Sequence, residues 1–111
     1  APGIYDELPE PFNQWNKEQF GEKLNRYRKA SDNIENSDLD YTLIRPGWLT
    51  DKNENVYEIT AKNETFKGTE VSRKSVASLA VQIAKNPELH SKENIGVNKP
   101  NTEGNKPAWF N

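Results

Sequence analysis

The apolar side chains in the first third of the chain recur with the period of a helix. Between residues 16 and 36 they lie three or four positions apart, with polar Ser31 in the same series: Phe20, Leu24, Tyr27 and Ile34. This spacing places them along one face of an amphipathic helix. Asn16 and Gln19 have the separation of a capping box, which satisfies the first backbone donors of a helix. We therefore predict one helix over residues 16–36 that begins at Asn16.

Residues 41–45 form a short run that does not alternate apolar with polar positions. Such a run predicts a strand buried on both faces, as in a parallel sheet. Pro46 lacks a backbone donor and Gly47 allows unusual dihedral angles, so the strand should end there. Helix, short link and buried strand form the second half of a βαβ crossover, and such sheets bind ligands beyond the carboxyl ends of their strands. We therefore expect residues 45–48 to face a binding crevice.

The second half of the chain carries a weaker strand pattern and a clearer helical one. Residues 56–60 have the composition of a strand, and residues 69–71 are expected to pair with them as a small ribbon. Ser72 is the expected N-cap of the next helix, which Pro87 should end. One face of this helix carries five apolar residues: Val76, Leu79, Ala80, Ile83 and Ala84. A short strand at residues 94–98 should follow.

Two aromatic features lie outside these elements. Phe66, in a turn region before the second helix, is a candidate anchor for its loop. The last stretch, residues 100–111, is rich in turn residues and closes with Trp109 and Phe110. Because exposing two neighbouring aromatic rings to water is unfavourable, we expect this tail to dock on another surface.

Composition limits the core that the chain can build. Hydrophobic residues make up 32% and charged residues 29%, with a mean hydropathy of −1.04. Ordinary globular domains contain roughly 45–50% apolar residues, glycine included. The apolar residues nevertheless cluster in periodic segments, which argues against disorder. We interpret the chain as an incomplete core that requires a partner surface.

Charge and cysteine content exclude several classes of partner. The net charge is −2 with acids and bases interspersed and no basic stripe, so nucleic acid is not an expected partner. No apolar run approaches the ~18 residues of a membrane span, and no signal peptide is visible. The absence of cysteine excludes disulfides and thiolate metal sites, and no other metal-ligand spacing occurs. We therefore expect a cytoplasmic protein that binds no metal, no nucleic acid and no membrane.

Two segments resemble a known family. Residues 39–49, Leu-Asp-Tyr-Thr-Leu-Ile-Arg-Pro-Gly-Trp-Leu, resemble the sixth-strand region of atypical short-chain dehydrogenase/reductases, the NmrA-like NAD(P)-binding proteins. Residues 68–77, Gly-Thr-Glu-Val-Ser-Arg-Lys-Ser-Val-Ala, resemble the segment that opens their next helix. The resemblance covers nearly the whole chain but only the C-terminal half of such a protein. It implies an α/β fold, in which residues 1–111 form one partial Rossmann-like domain that lacks the N-terminal glycine-rich βαβ half.

The resemblance also points to a catalytic position on the first helix. Catalytic members of the wider group carry a tyrosine and, four residues later, a lysine that lowers the tyrosine pKa. The matching positions here are Lys23 and Tyr27, so both residue types are present in reversed order. The reversal moves the phenol along the helix axis by one turn, ~5.4 Å. This displacement is large against the positional error that catalysis tolerates. Two interpretations of Tyr27 stay open, a core-facing residue or a proton donor, and the geometry favours the first.

The remaining site residues follow from the same resemblance. In such proteins the segments matching residues 46–49 and 3–7 lie near the nicotinamide end of the cofactor. Arg45 either forms an ion pair with a carboxylate or contacts a cofactor phosphate or acidic substrate. Arg73 either contacts substrate or holds the loop at residues 50–68. The predicted site therefore has cofactor-binding Arg45, Pro46, Gly47, Trp48 and Leu49, substrate-binding Tyr5 and Arg73, and catalytic Lys23 and Tyr27.

The sequence contains no glycine-rich turn between a strand and a helix, which is the feature that cradles a pyrophosphate. NADP or NAD is therefore expected to bind only together with an N-terminal half. The expected function is the substrate-side wall of an NAD(P)-binding oxidoreductase-like protein, with the chain alone inactive. Two alternatives stay open. One is a non-catalytic NAD(P) sensor, and the other is a small self-associating module that pairs through the strand at residues 41–45.

Overall fold

The computed structural model describes residues 1–110, so Asn111 of the predicted tail 100–111 lies outside the described residues. Helices and strands are mixed, as expected for an α/β fold. The helices are α1 (Phe12–Phe20), α2 (Lys23–Glu35) and α3 (Arg73–Lys85). The strands are β1 (Thr42–Pro46), β2 (Trp48–Thr50), β3 (Glu58–Ala61), β4 (Glu70–Ser72) and β5 (Glu93–Asn98). None of the helices in this part of the chain is both long and apolar enough to cross a membrane.

Three of the strands form one sheet in the order β1-β5-β3. β1 runs parallel to β5, with Ile44 opposite Ile95, whereas β3 runs antiparallel to β5. β2 and β4 form a separate parallel pair, with Leu49 opposite Val71. The predicted ribbon between residues 56–60 and 69–71 is therefore wrong. Each half of that ribbon pairs instead with a segment distant in sequence, a choice that local composition does not encode.

The single helix predicted over residues 16–36 is in fact two helices. Gly21, at φ 57° and ψ −133°, ends α1, and α2 begins at Lys23. Glycine adopts a positive φ at little cost, so the chain turns there instead of continuing the helix. Asn16 is not an N-cap but a fully buried residue inside α1. Its side chain donates to the Pro2 carbonyl at 3.0 Å and accepts from Trp48 Nε1 at 2.9 Å.

β1 lies where the sequence predicts a strand, but it is not buried on both faces. Thr42, Leu43 and Ile44 are only partly buried, and Arg45 is the buried residue of this strand. The reason is its place at one end of the three-stranded sheet, where it pairs with β5 along one edge only. β1 thus carries more apolar residues than its partly exposed position among the described residues requires.

The main core lies between α3 and the sheet. Its fully buried members come from three elements: Val71, Leu79, Ile95 and Val97. Val76 and Ile83 of the predicted α3 face pack against them. Ala80 and Ala84, which we expected on the same face, are exposed. In the second half of α3, the apolar face that contacts the core is therefore narrower than the sequence predicts.

A second core holds the two ends of the chain together. Leu8, Phe12 and Phe66 are buried in it, and Trp15 and Trp48 pack against them. Phe110 places its ring edge-on to Trp15, with the ring centres 4.9 Å apart. The prediction that the aromatic tail docks is therefore confirmed, as is the anchoring role of Phe66.

Ser72 caps α3 as the sequence predicts. Its Oγ accepts from the Ser75 backbone N–H at 3.0 Å and donates to the Glu54 carbonyl at 2.8 Å. Ser72→Ala should lower the free energy of unfolding by about 1–2 kcal/mol, because a buried helix cap is lost. Urea denaturation measures this change. Ser78→Ala, on the outer part of the same helix, should stay within about 0.5 kcal/mol, and an equal loss in both variants would contradict the capping role.

Candidate functional site

The chain passes from one sheet to the other at Gly47. The Gly47 N–H donates to the Val97 carbonyl at 2.8 Å, and β2 begins at the next residue. A Cβ at position 47 would lie 3.1 Å from the Glu70 nitrogen and 3.2 Å from its Cα. We expected Gly47 to supply unusual dihedral angles and the strand to end there. β1 does end at Pro46, but Gly47 supplies space for the close approach of β4, and a new strand, β2, begins at Trp48.

Trp48 lies at the centre of an aromatic cluster. Its ring centre is 4.9 Å from those of Trp15 and Phe20 and 6.2 Å from that of Trp109. The indole N–H donates to Asn16 Oδ1 at 2.9 Å. Packing and hydrogen bonding therefore fix the orientation of Trp48, and they attach both α1 and the C-terminal tail to the start of β2.

A hollow of about 550 Å³ opens beside the carboxyl ends of β2 and β4. We call it the tail hollow, and its lining residues are Leu49, Thr50, Asp51, Lys52, Arg73 and Trp109. Arg73 pairs with Asp51 at 2.5 Å on the surface, so its predicted role in holding the loop is confirmed. The tail hollow brings together two of the predicted site residues, Leu49 and Arg73. It also adds Trp109, which we had assigned only to docking.

Arg45 lies in the interior rather than at an open crevice. It pairs with Glu7 at 2.5 Å, and both side chains are less than a tenth exposed, at 3% and 6%. Its Nε also donates to Asn94 Oδ1 at 2.7 Å. Of the two interpretations of Arg45, the ion pair is confirmed, since these partners satisfy the buried charge. A contact between Arg45 and a cofactor stays a prediction.

Tyr5 stands in a ring of cations. The Lys62 ammonium lies 4.7 Å from the centre of the Tyr5 ring, and the guanidinium carbons of Arg28 and Arg45 lie 5.4 and 5.5 Å away. The Tyr5 hydroxyl is 2.6 Å from Ser31 Oγ and accepts from the Asn94 amide at 2.8 Å. Tyr5 lines a different hollow, of about 600 Å³, which we call the Tyr5 hollow. The two predicted substrate residues, Tyr5 and Arg73, therefore do not share a site.

Lys62 and Glu35 complete the polar network around Tyr5, with Nζ and Oε1 2.8 Å apart. Burial by itself would raise the pKa of Glu35, but hydrogen bonds from Lys62 and Asn94 outweigh it and hold this pKa below its ordinary 4.5. The hydrogen bond to Glu35 raises the pKa of Lys62 above its ordinary 10.5. Both groups are therefore charged across the neutral range.

Lys62→Met should destabilise the protein in a pH-dependent way. A carboxylate with a depressed folded pKa stabilises above its unfolded pKa, and this stabilisation is lost as pH falls through the folded value. The raised pKa of Lys62 gives a contribution that is present below pH 10.5 and lost as pH rises through its folded value. Urea denaturation should therefore separate Lys62→Met from the parent at about pH 7, and this difference should shrink as pH falls through the folded pKa of Glu35. Lys29→Met, on the exposed face of α2, is the control and should show no such convergence.

Lys23 and Tyr27, predicted as a catalytic pair on the first helix, both lie on α2 of the structure. Lys23 is exposed at the start of α2, and the described hydrogen bonds include none between Lys23 and Tyr27. Tyr27 is 45% exposed, so the expectation that it faces the core is wrong. Its ring lies edge-on to Phe20, at 6.2 Å. Tyr27 also lines a shallow groove beside β1, here called the edge groove, with Ile4, Ala30, Ile34 and Leu43 among its walls.

A model of proteins described as NAD(P)H-binding matches residues 1–87. The chain belongs to this NAD(P)H-binding family. Together with the similar structures described next, this match confirms the resemblance to short-chain dehydrogenase/reductases and the Rossmann-like α/β class.

Three known proteins are similar to this NAD(P)H-binding family member. A Rossmann-fold NAD(P)-binding family protein from Shigella flexneri is 54% identical, with a TM-score of 0.74 over 81% of this chain and 46% of its own. A short-chain dehydrogenase/reductase from Veillonella parvula, in complex with NADP, is 26% identical, with a TM-score of 0.92 over 98% and 52%. Protein TIC 62 of Arabidopsis thaliana chloroplasts is 38% identical over 66 residues, 56% of this chain and 10% of its own. The chain thus spans about half the length of these solved structures and a tenth of TIC 62.

Sequence reasoning missed several polar residues of this family member. Ser31 was treated as an interruption of an apolar stripe, yet it is buried and bonded to Tyr5. Its helical spacing was the available signal, since a polar residue in an apolar series needs a partner. Asn94 and Lys62 carry no comparable signal, because their partners are distant in sequence. No group of three or more acidic, histidine or cysteine side chains within residues 1–110 is placed to hold a metal.

Proposed function

We propose that the chain forms the substrate-side wall of an NAD(P)-binding crevice in an oxidoreductase-like protein. The observation that carries the proposal is the tail hollow, which opens at the carboxyl ends of two parallel strands directly after residues 46–48. In α/β proteins this is the end of the sheet at which ligands bind. The family match and the NADP complex of a structural neighbour support a dinucleotide as the ligand of the crevice.

Four residues are proposed to line the nicotinamide side of the crevice: Pro46, Gly47, Trp48 and Leu49. The close packing of Gly47 against β4 and the aromatic cluster around Trp48 support this role, because a rigid wall orients a flat ring better than a loop does. Leu49 is 37% exposed and thus available for contact. A bound nicotinamide would supply or accept the hydride, and these residues would position its ring and exclude water.

The pyrophosphate of the dinucleotide is proposed to bind to an N-terminal half. The sequence itself contains no glycine-rich phosphate turn. β1 pairs with β5 along one edge, and within the described residues its other edge adjoins the apolar edge groove. A strand and helix packed there would cover Tyr27, Leu43 and the free edge of β1, which an isolated chain leaves open.

Cofactor titration tests the proposal. NADPH fluorescence should show binding to the natural polypeptide purified from the producing cells, but no micromolar binding to these 111 residues alone. The intact mass of that polypeptide should exceed 12.7 kDa, near twice this value. Micromolar NADPH binding by the 111 residues alone would refute the need for a second half. Absence of any binding by the natural polypeptide would refute the proposed function.

A matched pair of variants tests the position of the crevice. In the natural polypeptide, Leu49→Glu should weaken NADPH binding by roughly tenfold or more, since it places a negative charge beside an anionic ligand. Leu89→Glu is the control, because Leu89 is 39% exposed against 37% for Leu49 and precedes β5, whose first residue lies beside the start of β1. Equal weakening by both variants would argue against a crevice at Leu49.

A non-catalytic NAD(P) sensor is the second candidate. The exposed, reversed Lys23 and Tyr27 pair favours it, since the described hydrogen bonds include none that joins Lys23 to the Tyr27 hydroxyl. A sensor would bind NADPH without oxidising it in the presence of carbonyl or quinone substrates. Tyr27→Phe should then leave both binding and background oxidation unchanged. Loss of an NADPH oxidase activity in Tyr27→Phe would instead identify Tyr27 as a proton donor.

Self-association of the isolated chain is the third candidate. The open edge of β1 and the edge groove favour it, because a second copy can pair with an unpaired strand. Light scattering of the 111 residues should then give a dimer or larger species. Leu43→Lys, which places a charge in the groove, should shift it towards monomer, whereas a well-folded parent monomer would exclude this candidate.

A further inference from the structure

We infer that the tail hollow binds a flat apolar group that carries an acidic group, and that Trp109 of the C-terminal tail is its specificity-determining wall. This inference rests on the proposed function, since it names the class of substrate for the crevice. It is carried by the chemistry of the hollow itself. Its lining combines two apolar side chains, Leu49 and Trp109, with two cationic ones, Arg73 and Lys52.

The apolar side is formed by Leu49 and Trp109. Both are large hydrophobic residues with much of their surface exposed, at 37% and 46%. Trp109 does not stand free, because its ring packs 6.2 Å from that of Trp48 and 6.1 Å from that of Phe110. Such a half-covered indole offers one broad face for stacking while its neighbours fix its orientation. A planar aromatic or unsaturated ligand matches this face.

The cationic side is formed by Arg73 and Lys52. Asp51 is the single acid among the lining residues, so the hollow carries more positive than negative charge. Asp51 engages only Nη1 of Arg73, and within residues 1–110 Lys52 takes part in no ion pair. Arg73 is also the first residue of α3, where the helix dipole favours anions. A carboxylate on the ligand would therefore find a guanidinium with free donors and a nearby ammonium.

The tail reaches this position through Glu70, which acts as a positioning residue. Glu70 is 4% exposed, and its Oε1 accepts from the Ala108 N–H at 2.8 Å. The neighbouring Thr69 donates its hydroxyl to the Thr102 carbonyl at 2.7 Å. Thr69, just before β4, and Glu70, its first residue, thus hold the tail at Thr102 and at Ala108. Ala108 immediately precedes Trp109.

The Tyr5 hollow is slightly larger but does not suit an acidic ligand. Its lining contains four carboxylates, at Asp6, Glu7, Asp32 and Glu64, against the two cations Arg28 and Lys62. Lys62 is already paired with Glu35. The negative balance opposes an anion there. The tail hollow is therefore the one that selects for an acid.

A pair of probes tests the inference on the natural polypeptide. Calorimetric titration should show that 2-naphthoate binds and that Arg73→Gln weakens it roughly tenfold, about 1.4 kcal/mol. In the same variant, the affinity for the neutral analogue 2-naphthamide should change less than about twofold. Lys74→Gln is the matched control, because Lys74 follows Arg73 on α3 and pairs with Asn53 outside the tail hollow. Trp109→Ala should weaken both probes, and so should Glu70→Ala.

Glu70→Ala needs a further readout, because it acts through the tail. Amide hydrogen exchange at Ala108 and Trp109 should become faster in this variant while that of β5 stays unchanged. The inference is overturned if neither probe binds, if Arg73→Gln weakens both probes equally, or if Trp109→Ala has no effect. NADPH titration of the same samples is independent of these results. Binding of 2-naphthoate without binding of NADPH would support the inference about the tail hollow and refute the proposed function.

Discussion

Arg45→Met is expected to lower the free energy of unfolding by about 3–5 kcal/mol, the range for removing one partner of a buried ion pair. The loss leaves the Glu7 carboxylate buried, at 6% exposure, without its cation. It also removes the donor to Asn94 Oδ1 at 2.7 Å. Guanidinium denaturation of the purified protein measures the change.

The exposed pair between Arg73 and Asp51 provides the matched control. Its separation is also 2.5 Å, but the side chains are 58% and 86% exposed. Arg73→Met should therefore cost no more than about 1 kcal/mol, since water already solvates both charges. The double variant Arg45→Met with Glu7→Leu should recover much of the loss, because no buried charge is left alone. A loss of less than 1 kcal/mol in Arg45→Met would contradict the buried pair.

Phe66→Ala is the second large effect, with an expected loss of about 3–5 kcal/mol. Phe66 is 1% exposed and belongs to the core that joins the N-terminal segment to the aromatic cluster. A Cβ on Gly96 would lie 2.9 and 3.0 Å from Phe66 ring carbons, so the central strand already makes room for this ring. Truncation leaves a cavity that a sheet strand cannot easily close.

Leu39→Ala is the control for Phe66→Ala, because Leu39 is 63% exposed and should cost less than about 0.5 kcal/mol. Gly96→Ala offers a converse test. The added methyl group would lie 2.5 Å from Thr60 Oγ1 and 2.9 Å from the Phe66 ring, so both must shift and the variant should be destabilised by about 1–3 kcal/mol. If Phe66→Ala relieved the effect of Gly96→Ala, the two residues would be shown to compete for the same space. Additive losses would contradict that contact.

These two predictions bear on the proposed crevice as well as on stability. The Glu7–Arg45 pair holds the N-terminal segment against β1, and the Phe66 N–H donates to the Glu7 carbonyl at 3.1 Å. Trp48 packs on the same core as Phe66. Variants that loosen this core should therefore disturb the orientation of Trp48 and weaken cofactor binding indirectly. Binding data for them are best read at temperatures where each variant is fully folded.

The sequence by itself determined the features that depend on neighbouring residues. The strand at Thr42–Pro46, the strand at Glu93–Asn98 and the Ser72 cap of α3 follow from local composition and spacing. The docking of the aromatic tail follows from the cost of exposing two rings. The family resemblance of residues 39–49 rests on contiguous residues too. All of these could be predicted because the interactions that decide them lie within a few positions of each other.

Only the tertiary structure decided which distant segments meet. The pairing of β2 with β4, the burial of Arg45 against Glu7 and the placing of Trp109 beside Arg73 join residues far apart in the chain. The break at Gly21 belongs here as well, since a helical pattern continues across it and glycine permits the turn without requiring it. Local patterns give the propensity of each segment, whereas burial of apolar surface and pairing of charges select one arrangement among many. That selection creates the tail hollow, which no single stretch of the sequence encodes.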